Sequence, residues 1–283
     1  MANLEPYEVD PEWKFADIEV PTMDNVRCAA LLGYKVVNYN HVLCVGPTGT
    51  GKTVTITSKL SRGLQKKFIC EFLVFSARTS ANQTQDVIDS KLERRRRGVF
   101  GPPPSKRLVF FIDDLNMPAL EVFGAQPPIE LLRQFMDFSG WYDRENIGEF
   151  KTLVDVGIVA AMGPPGGGRN PVTMRLLRHF HYISFTEMEY ASKYTIFSTI
   201  LKSWCAHMDP KVQPLVRQHP FLKASIEVFN ALVEELLPTP TKSHYTFNLR
   251  DLSKVFQGML MLEAKNIEGE DEVIRLWYHE HQR

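Results

Sequence analysis

The sequence predicts an α/β fold, a parallel five-stranded sheet flanked by helices and followed by a small helical lid domain. Three observations carry this prediction. Apolar runs at 41–45, 68–75, 108–112, 154–161 and 180–185 alternate with helical patterns, as in a sheet covered on both faces. A glycine-rich loop directly follows the first run. After residue 185 the apolar spacing becomes helical and no strand pattern returns.

Composition narrows the class. With 283 residues, 44% of them hydrophobic, the chain can bury one large core or two smaller ones. Lys plus Arg and Asp plus Glu both total 33, so bulk charge favours neither nucleic acid nor an anionic membrane as partner. No apolar run reaches the ~18 residues of a spanning helix. The opening residues, MANLEPYEVDPEW, are acidic and polar, unlike a signal peptide. The four cysteines are scattered without a C-x-x-C pair, which fits reduced thiols in an intracellular protein.

The elements follow in order. A helix is expected at 51–64 and another at 80–97, the latter with Val87, Ile88 and Leu92 on one face. Gly98 should stop it, and Pro102, Pro103 and Pro104 should form a stiff turn. On this reading the arginines at 94–97 are a solvated helix end favoured by the dipole. A third helix is expected at 129–138. Thr186-Glu187-Met188-Glu189 has the form of a capping box. Tyr190, Tyr194, Phe197, Leu201 and Trp204 follow at helical spacing. A further helix at 222–237 ends at Pro238, and Asn248 is a good N-cap for one carrying Leu249, Leu252, Phe256 and Met259. The expected division is an α/β nucleotide-binding domain at 1–186 and a helical domain at 187–283.

Gly46-Pro47-Thr48-Gly49-Thr50-Gly51-Lys52-Thr53 matches G-x-x-x-x-G-K-[ST] in full, between a strand pattern and a helix pattern. The glycines let backbone N–H groups turn towards phosphate, and the helix presents its positive end to the anion. Lys52 can reach the β- and γ-phosphates, and the Thr53 hydroxyl can bind Mg²⁺. The run Val109-Phe110-Phe111-Ile112 ends in Asp113-Asp114, at the strand edge where open α/β sheets hold ligands. Asp113 suits the Mg²⁺ shell, and Asp114 is placed to orient an attacking water. The pair points to Mg-ATP. Many related ATPases carry Glu at the position of Asp114. Asp is one methylene shorter, and a misplacement on the order of 1 Å can cost ~10²-fold in rate. Both a slow base and a site that binds without useful turnover stay open. His179 and His181 lie on one face of a strand with no further metal ligands evident in the sequence, and the loop Gly163-Pro164-Pro165-Gly166-Gly167-Gly168 is expected near the γ-phosphate.

Longer strings carry a family resemblance. Asp113-Asp114-Leu115-Asn116-Met117-Pro118, the stretch Gly124-Ala125-Gln126-Pro127-Pro128-Ile129-Glu130-Leu131-Leu132-Arg133-Gln134, Gly140-Trp141-Tyr142-Asp143-Arg144 and Ala160-Ala161-Met162 through Gly163 to Arg169-Asn170 resemble the third AAA+ module of axonemal dynein heavy chains. The resemblance runs from about residue 20 to at least residue 258. It implies an AAA+ P-loop NTPase domain with a helical lid, binding ATP or ADP with Mg²⁺. The module would sit in a ring of six, with neighbouring AAA+ modules as partners and microtubules reached only through the whole motor. The implied setting is the cytoskeleton of a cilium or flagellum, the axoneme. Val20, Pro21 and Thr22 resemble the segment near the adenine. Arg250 resembles the lid arginine that reaches back to phosphate. Arg178, with Arg175 as fallback, stands where the family places the finger that completes a neighbour's site. Two departures bear on turnover: Asp114 replaces Glu, and the position after the fourth strand, usually polar, is Gly163.

Overall fold

The structure is a computed structural model describing residues 7, 9, 13–15, 18–205, 213, 220–239, 241–242, 245–263, 266–267 and 269–283. The chain divides into two compact units, Arg27–Glu187 and a second made of Met1–Val26 with Met188–Arg283.

The first unit is built on a parallel sheet. Its strands are β1 (Val42–Val45), β2 (Phe68–Val74), β5 (Arg107–Asp113), β8 (Val156–Met162) and β9 (His181–Ser184), in spatial order β2-β5-β8-β1-β9. All five lie on the predicted apolar runs. Side chains alternate across the sheet with period two. Leu43, Leu108, Phe110, Ile112, Ile158 and Ala160 enter one core. Val42, Cys44, Val109, Phe111, Val159 and Ala161 enter the other. The first core is closed by α3 (Ala81–Asp89) through Ile88 and by α4 (Pro127–Phe138) through Ile129, Leu132 and Phe135. The second is closed by α1 (Met23–Val37) through Leu32 and Val36, and by α2 (Lys52–Arg62) through Ile56 and Leu60. A one-turn helix, α5 (Met174–Leu177), precedes β9.

The helix expected at 80–97 is shorter than its pattern. Ser80 and Gln83 form a capping box that starts α3, and the helix ends at Asp89. The arginine run is a strand, β3 (Glu93–Arg96), joined through Gly98 at φ 70° to β4 (Val99–Gly101). With β7 (Phe150–Leu153) and β6 (Gly140–Tyr142) these strands make a second, four-stranded sheet in the order β3-β4-β7-β6. The arginines therefore do not cap a helix. They line an edge, where charge discourages strand-to-strand association. Arg95 is the inward one, donating to Pro102 O at 2.9 Å and pairing with Asp155 at 2.6 Å.

The second unit is helical: α6 (Tyr190–Cys205), α7 (Pro220–Glu235), α8 (Leu249–Leu260) and α9 (Glu270–Gln282). Asn248 and Asp251 cap α8 reciprocally. Phe197 of α6 stacks on Phe256 of α8 with ring centroids 4.4 Å apart. Trp277 of α9 donates its indole N–H to Ser225 of α7 at 2.9 Å. The sequence division placed residues 1–26 with the α/β domain. Val20 is instead buried in this helical core, and Tyr7, Phe15 and Ile18 pack against it.

His41, just before β1, accepts the Ile158 N–H of β8 on its Nδ1 at 3.0 Å and lies edge-on to Phe135 and Phe180. Burial, followed by repulsion from Arg107, His179 and His181, lowers its pKa from 6.5 to about 4. The unfolded chain binds this proton first, so stability is full above pH 6.5 and falls towards pH 4. A shift from 6.5 to about 4 corresponds to a loss on the order of 3 kcal/mol. Urea midpoints measured through this window should fall steeply for the parent and more gently for His41→Gln. Parallel curves for the two proteins would remove His41 as the cause.

Candidate nucleotide site

The site is assembled at the C-terminal edge of the parallel sheet. β1 runs into the loop at Gly46, and α2 begins at Lys52. Gly46 lies against the end of β9: a Cβ there would fall 2.2 Å from the Phe185 carbonyl oxygen, so no side chain fits. Gly49 and Gly51 have φ of 83° and 76°, left-handed values that wrap the loop back onto the helix start. Thr50 ties the loop to itself through Pro47 O at 3.0 Å. Among the described residues, the backbone N–H groups of Thr48, Gly49, Thr50 and Gly51 make no hydrogen bond. That leaves a run of donors at a helix N-terminus, the arrangement that suits phosphate.

Lys52 is folded over the loop. Its ammonium donates to Gly46 O at 2.8 Å and to Pro47 O at 2.6 Å. Burial, and after it the nearby Arg169 guanidinium, lowers its pKa, with Asp113 and Asp114 opposing. A half-buried ammonium resting on carbonyls, beside free N–H donors, fits a polyanionic ligand better than a structural salt bridge. One residue on, the Thr53 hydroxyl donates to Asp113 Oδ2 at 2.7 Å. The two predicted Mg²⁺ ligands, from the first turn of α2 and the end of β5, are therefore in direct contact and their oxygen chemistry fits a hard cation.

The other Asp113 oxygen, Oδ1, accepts the Asp114 N–H at 3.0 Å. Asp114 sits at φ 51°, a left-handed conformation that Asp tolerates better than most residues. This turn lifts its carboxylate off the sheet edge, where it is 39% exposed and 3.3 Å from Arg169 Nη2. Gly163, after β8, offers no side chain, and its carbonyl accepts from Asn116 Nδ2 at 2.9 Å. Arg169 did not emerge from the sequence as a site residue. Only the return of the glycine loop brings it to Asp114.

The other candidate residues stand on other elements. Arg178 ends α5, is 62% exposed and pairs with Asp137 of α4. His179 is 2.8 Å from the same carboxylate, and hydrogen bonds from Arg178, His179 and Arg133 hold Asp137 down at about 2. His181 instead approaches Lys35 at 3.3 Å. Arg175 is exposed, its N–H bonded to Thr173 Oγ1 at 3.3 Å. Arg250 is exposed in the first turn of α8, in the helical unit. Thr22 caps α1, its Oγ1 accepting Asn25 N–H at 3.3 Å, while Val20 is buried in the helical unit and Pro21 is exposed.

Comparison with known proteins gives this geometry a family. Residues 7–188 match the P-loop containing dynein motor region, and residues 221–283 match an AAA+ lid domain. Dynein axonemal heavy chain 1 of Mus musculus is 56% identical over 98% of this chain. Dynein axonemal heavy chain 12 of Homo sapiens is 47% identical over 96% of it, and dynein axonemal heavy chain 6 of Homo sapiens 43% over 99%. The chain spans 7% to 9% of the length of these relatives. It belongs to the P-loop containing dynein motor region family, and its similarity is to the axonemal heavy chains.

Proposed function

We infer that this chain is one AAA+ module of an axonemal dynein heavy chain, the third of the ring, which binds Mg-ATP and hydrolyses it slowly to regulate the motor. The observation that carries this reading is the contact between Thr53 and Asp113 at 2.7 Å beneath a loop whose amides are free and whose lysine rests on its carbonyls. Bound Mg²⁺ would supply charge neutralisation between the phosphates and the two oxygen ligands. The chain's own residues do the rest. The loop amides and Lys52 bind and orient the phosphates. Asp114 orients a water and takes its proton. In the proposed ring, neighbouring modules are the direct partners, and microtubules and the axoneme are reached through the whole motor.

A second reading, a nucleotide-binding regulatory module with little turnover, is favoured by the ion pair between Asp114 and Arg169. The guanidinium occupies Oδ1 of the carboxylate, an oxygen that an attacking water would otherwise use.

Three outcomes test these readings. Lys52→Ala should abolish binding in a fluorescent ATP titration, because the loop loses its ammonium; unchanged affinity would remove the P-loop reading. Asp114→Asn should keep ATP affinity and lose whatever phosphate release the parent shows, whereas Asp113→Asn should weaken the dependence of binding on Mg²⁺. Equal phosphate release by parent and Asp114→Asn would show that Asp114 is not the base. The two remaining arginines should separate by setting. Arg250→Ala should weaken nucleotide binding by the purified chain. Arg178→Ala should leave it unchanged and lower turnover only in a heavy chain carrying the flanking modules, where a finger supplied in trans can be worth ~10³–10⁵ in rate. Equal loss of affinity by both variants in the purified chain would make Arg178 a residue of this chain's own site.

A further inference from the structure

The turn after β8 delivers an arginine to a place where the sequence offered no polar group. Gly166, Gly167 and Gly168 all have positive φ, at 117°, 57° and 86°. They fold the loop into a tight return closed by Gly166 N–H to Arg169 O at 2.9 Å and Arg169 N–H to Gly166 O at 3.1 Å. The far side of the loop is fixed to the turn that follows β5. Asn170 N–H donates to Asn116 O at 2.9 Å and Asn170 Nδ2 to Pro118 O at 2.8 Å. Arg169 is thereby directed back along the sheet edge.

Its side chain fills the space beside Gly163. A Cβ on Gly163 would lie 2.9 Å from Arg169 Nε, 3.1 Å from Cδ and 3.2 Å from Cζ. The absence of a side chain at 163 and the position of the guanidinium are one arrangement. Nη2 reaches Asp114 Oδ1 at 3.3 Å, while Nε is buried and has no partner among the described residues. Asp114 satisfies one corner of the guanidinium, and the buried Nε leaves another donor unused. A buried N–H without an acceptor is costly, and a guanidinium fork binds phosphate oxygens well.

We propose that Arg169 is the residue that reads the terminal phosphate at this site and positions Asp114, standing in for the side chain that Gly163 lacks. This deepens the nucleotide-binding reading and rests on it. The terminal phosphate of a nucleoside triphosphate and the Asp114 carboxylate share one guanidinium. Arg169 therefore couples the presence of that phosphate to the placing of the carboxylate, and a nucleoside diphosphate, lacking the group, leaves Arg169 with Asp114 alone.

The test compares a fluorescent, non-hydrolysable ATP analogue with fluorescent ADP on the full chain. A hydrogen bond to a charged group is worth roughly tenfold to a hundredfold in affinity. Arg169→Gln should lose about tenfold or more for the triphosphate analogue and less than about twofold for ADP. Arg169→Lys, which keeps the charge, should recover part of the loss. Gly163→Ala provides an independent route, since its Cβ displaces the guanidinium without removing it; it should reproduce the Arg169→Gln pattern. Equal losses for both nucleotides, or unchanged preference in Arg169→Gln and Gly163→Ala alike, would overturn the proposal while leaving the nucleotide-binding reading intact. A parent chain that binds neither probe would overturn both.

Discussion

Parallel register between β1, β8 and β5 is the constraint on which the site depends. Val45 is opposite Met162, and Ile112 is opposite Ala160. The three strands therefore release Gly46, Gly163 and Asp113 at the same edge. Parallel pairing makes this possible because every strand points its C-terminal end the same way, with the helices returning the chain across the faces. The register also sets how close backbone can come to backbone. Phe185 N–H donates to Val45 O at 2.7 Å, so β9 crowds the first residue of the loop and only glycine fits there. A one-residue slip of β1 would exchange its two core faces and carry the loop away from Asp113.

The edge so formed gathers two cations and two carboxylates. Lys52 rests on loop carbonyls, Asp113 on Thr53 and the Asp114 amide, and Asp114 on Arg169. Each group has a local partner that a phosphate chain and its cation can replace. This explains how a site can be charged without being unstable: the groups satisfy one another across short distances. It also bears on rate. The carboxylate proposed as base is shorter than Glu, left-handed in its backbone and already engaged by a guanidinium. These features are what the proposed slow turnover rests on.

The central sheet was legible because strands buried on both faces read as unbroken apolar runs, and the P-loop was legible because phosphate wrapping demands a fixed glycine spacing. The second sheet was not. Its strands are three or four residues long, and one is Glu-Arg-Arg-Arg, whose exposed edge needs no apolar alternation. Local patterning extended α3 through it because Leu92 continues the helical face while nothing in the sequence marks the stop at Asp89. The α9 helix was missed for a similar reason: of its residues only Val273 is buried, too little for a periodic signal. Residues near Val20 carry no local sign of which core they join. Arg169 was invisible because its reach depends on the handedness of three successive glycines, which sequence spacing does not encode.

The two arginines near the ends of the β8-to-β9 connection differ in what holds them. Arg178 is 62% exposed, and Asp137 is shared with Arg133 and His179. The guanidinium is mostly in solvent, whereas the Asp137 carboxylate is 9% exposed. Releasing Arg178 would leave Asp137 with Arg133 and His179 as partners. Arg169 is less exposed, at 24%, and its Nε is shut off from water. It cannot leave without emptying the space beside Gly163. One connection thus carries an arginine at the surface, paired with Asp137, and an arginine confined beside Gly163.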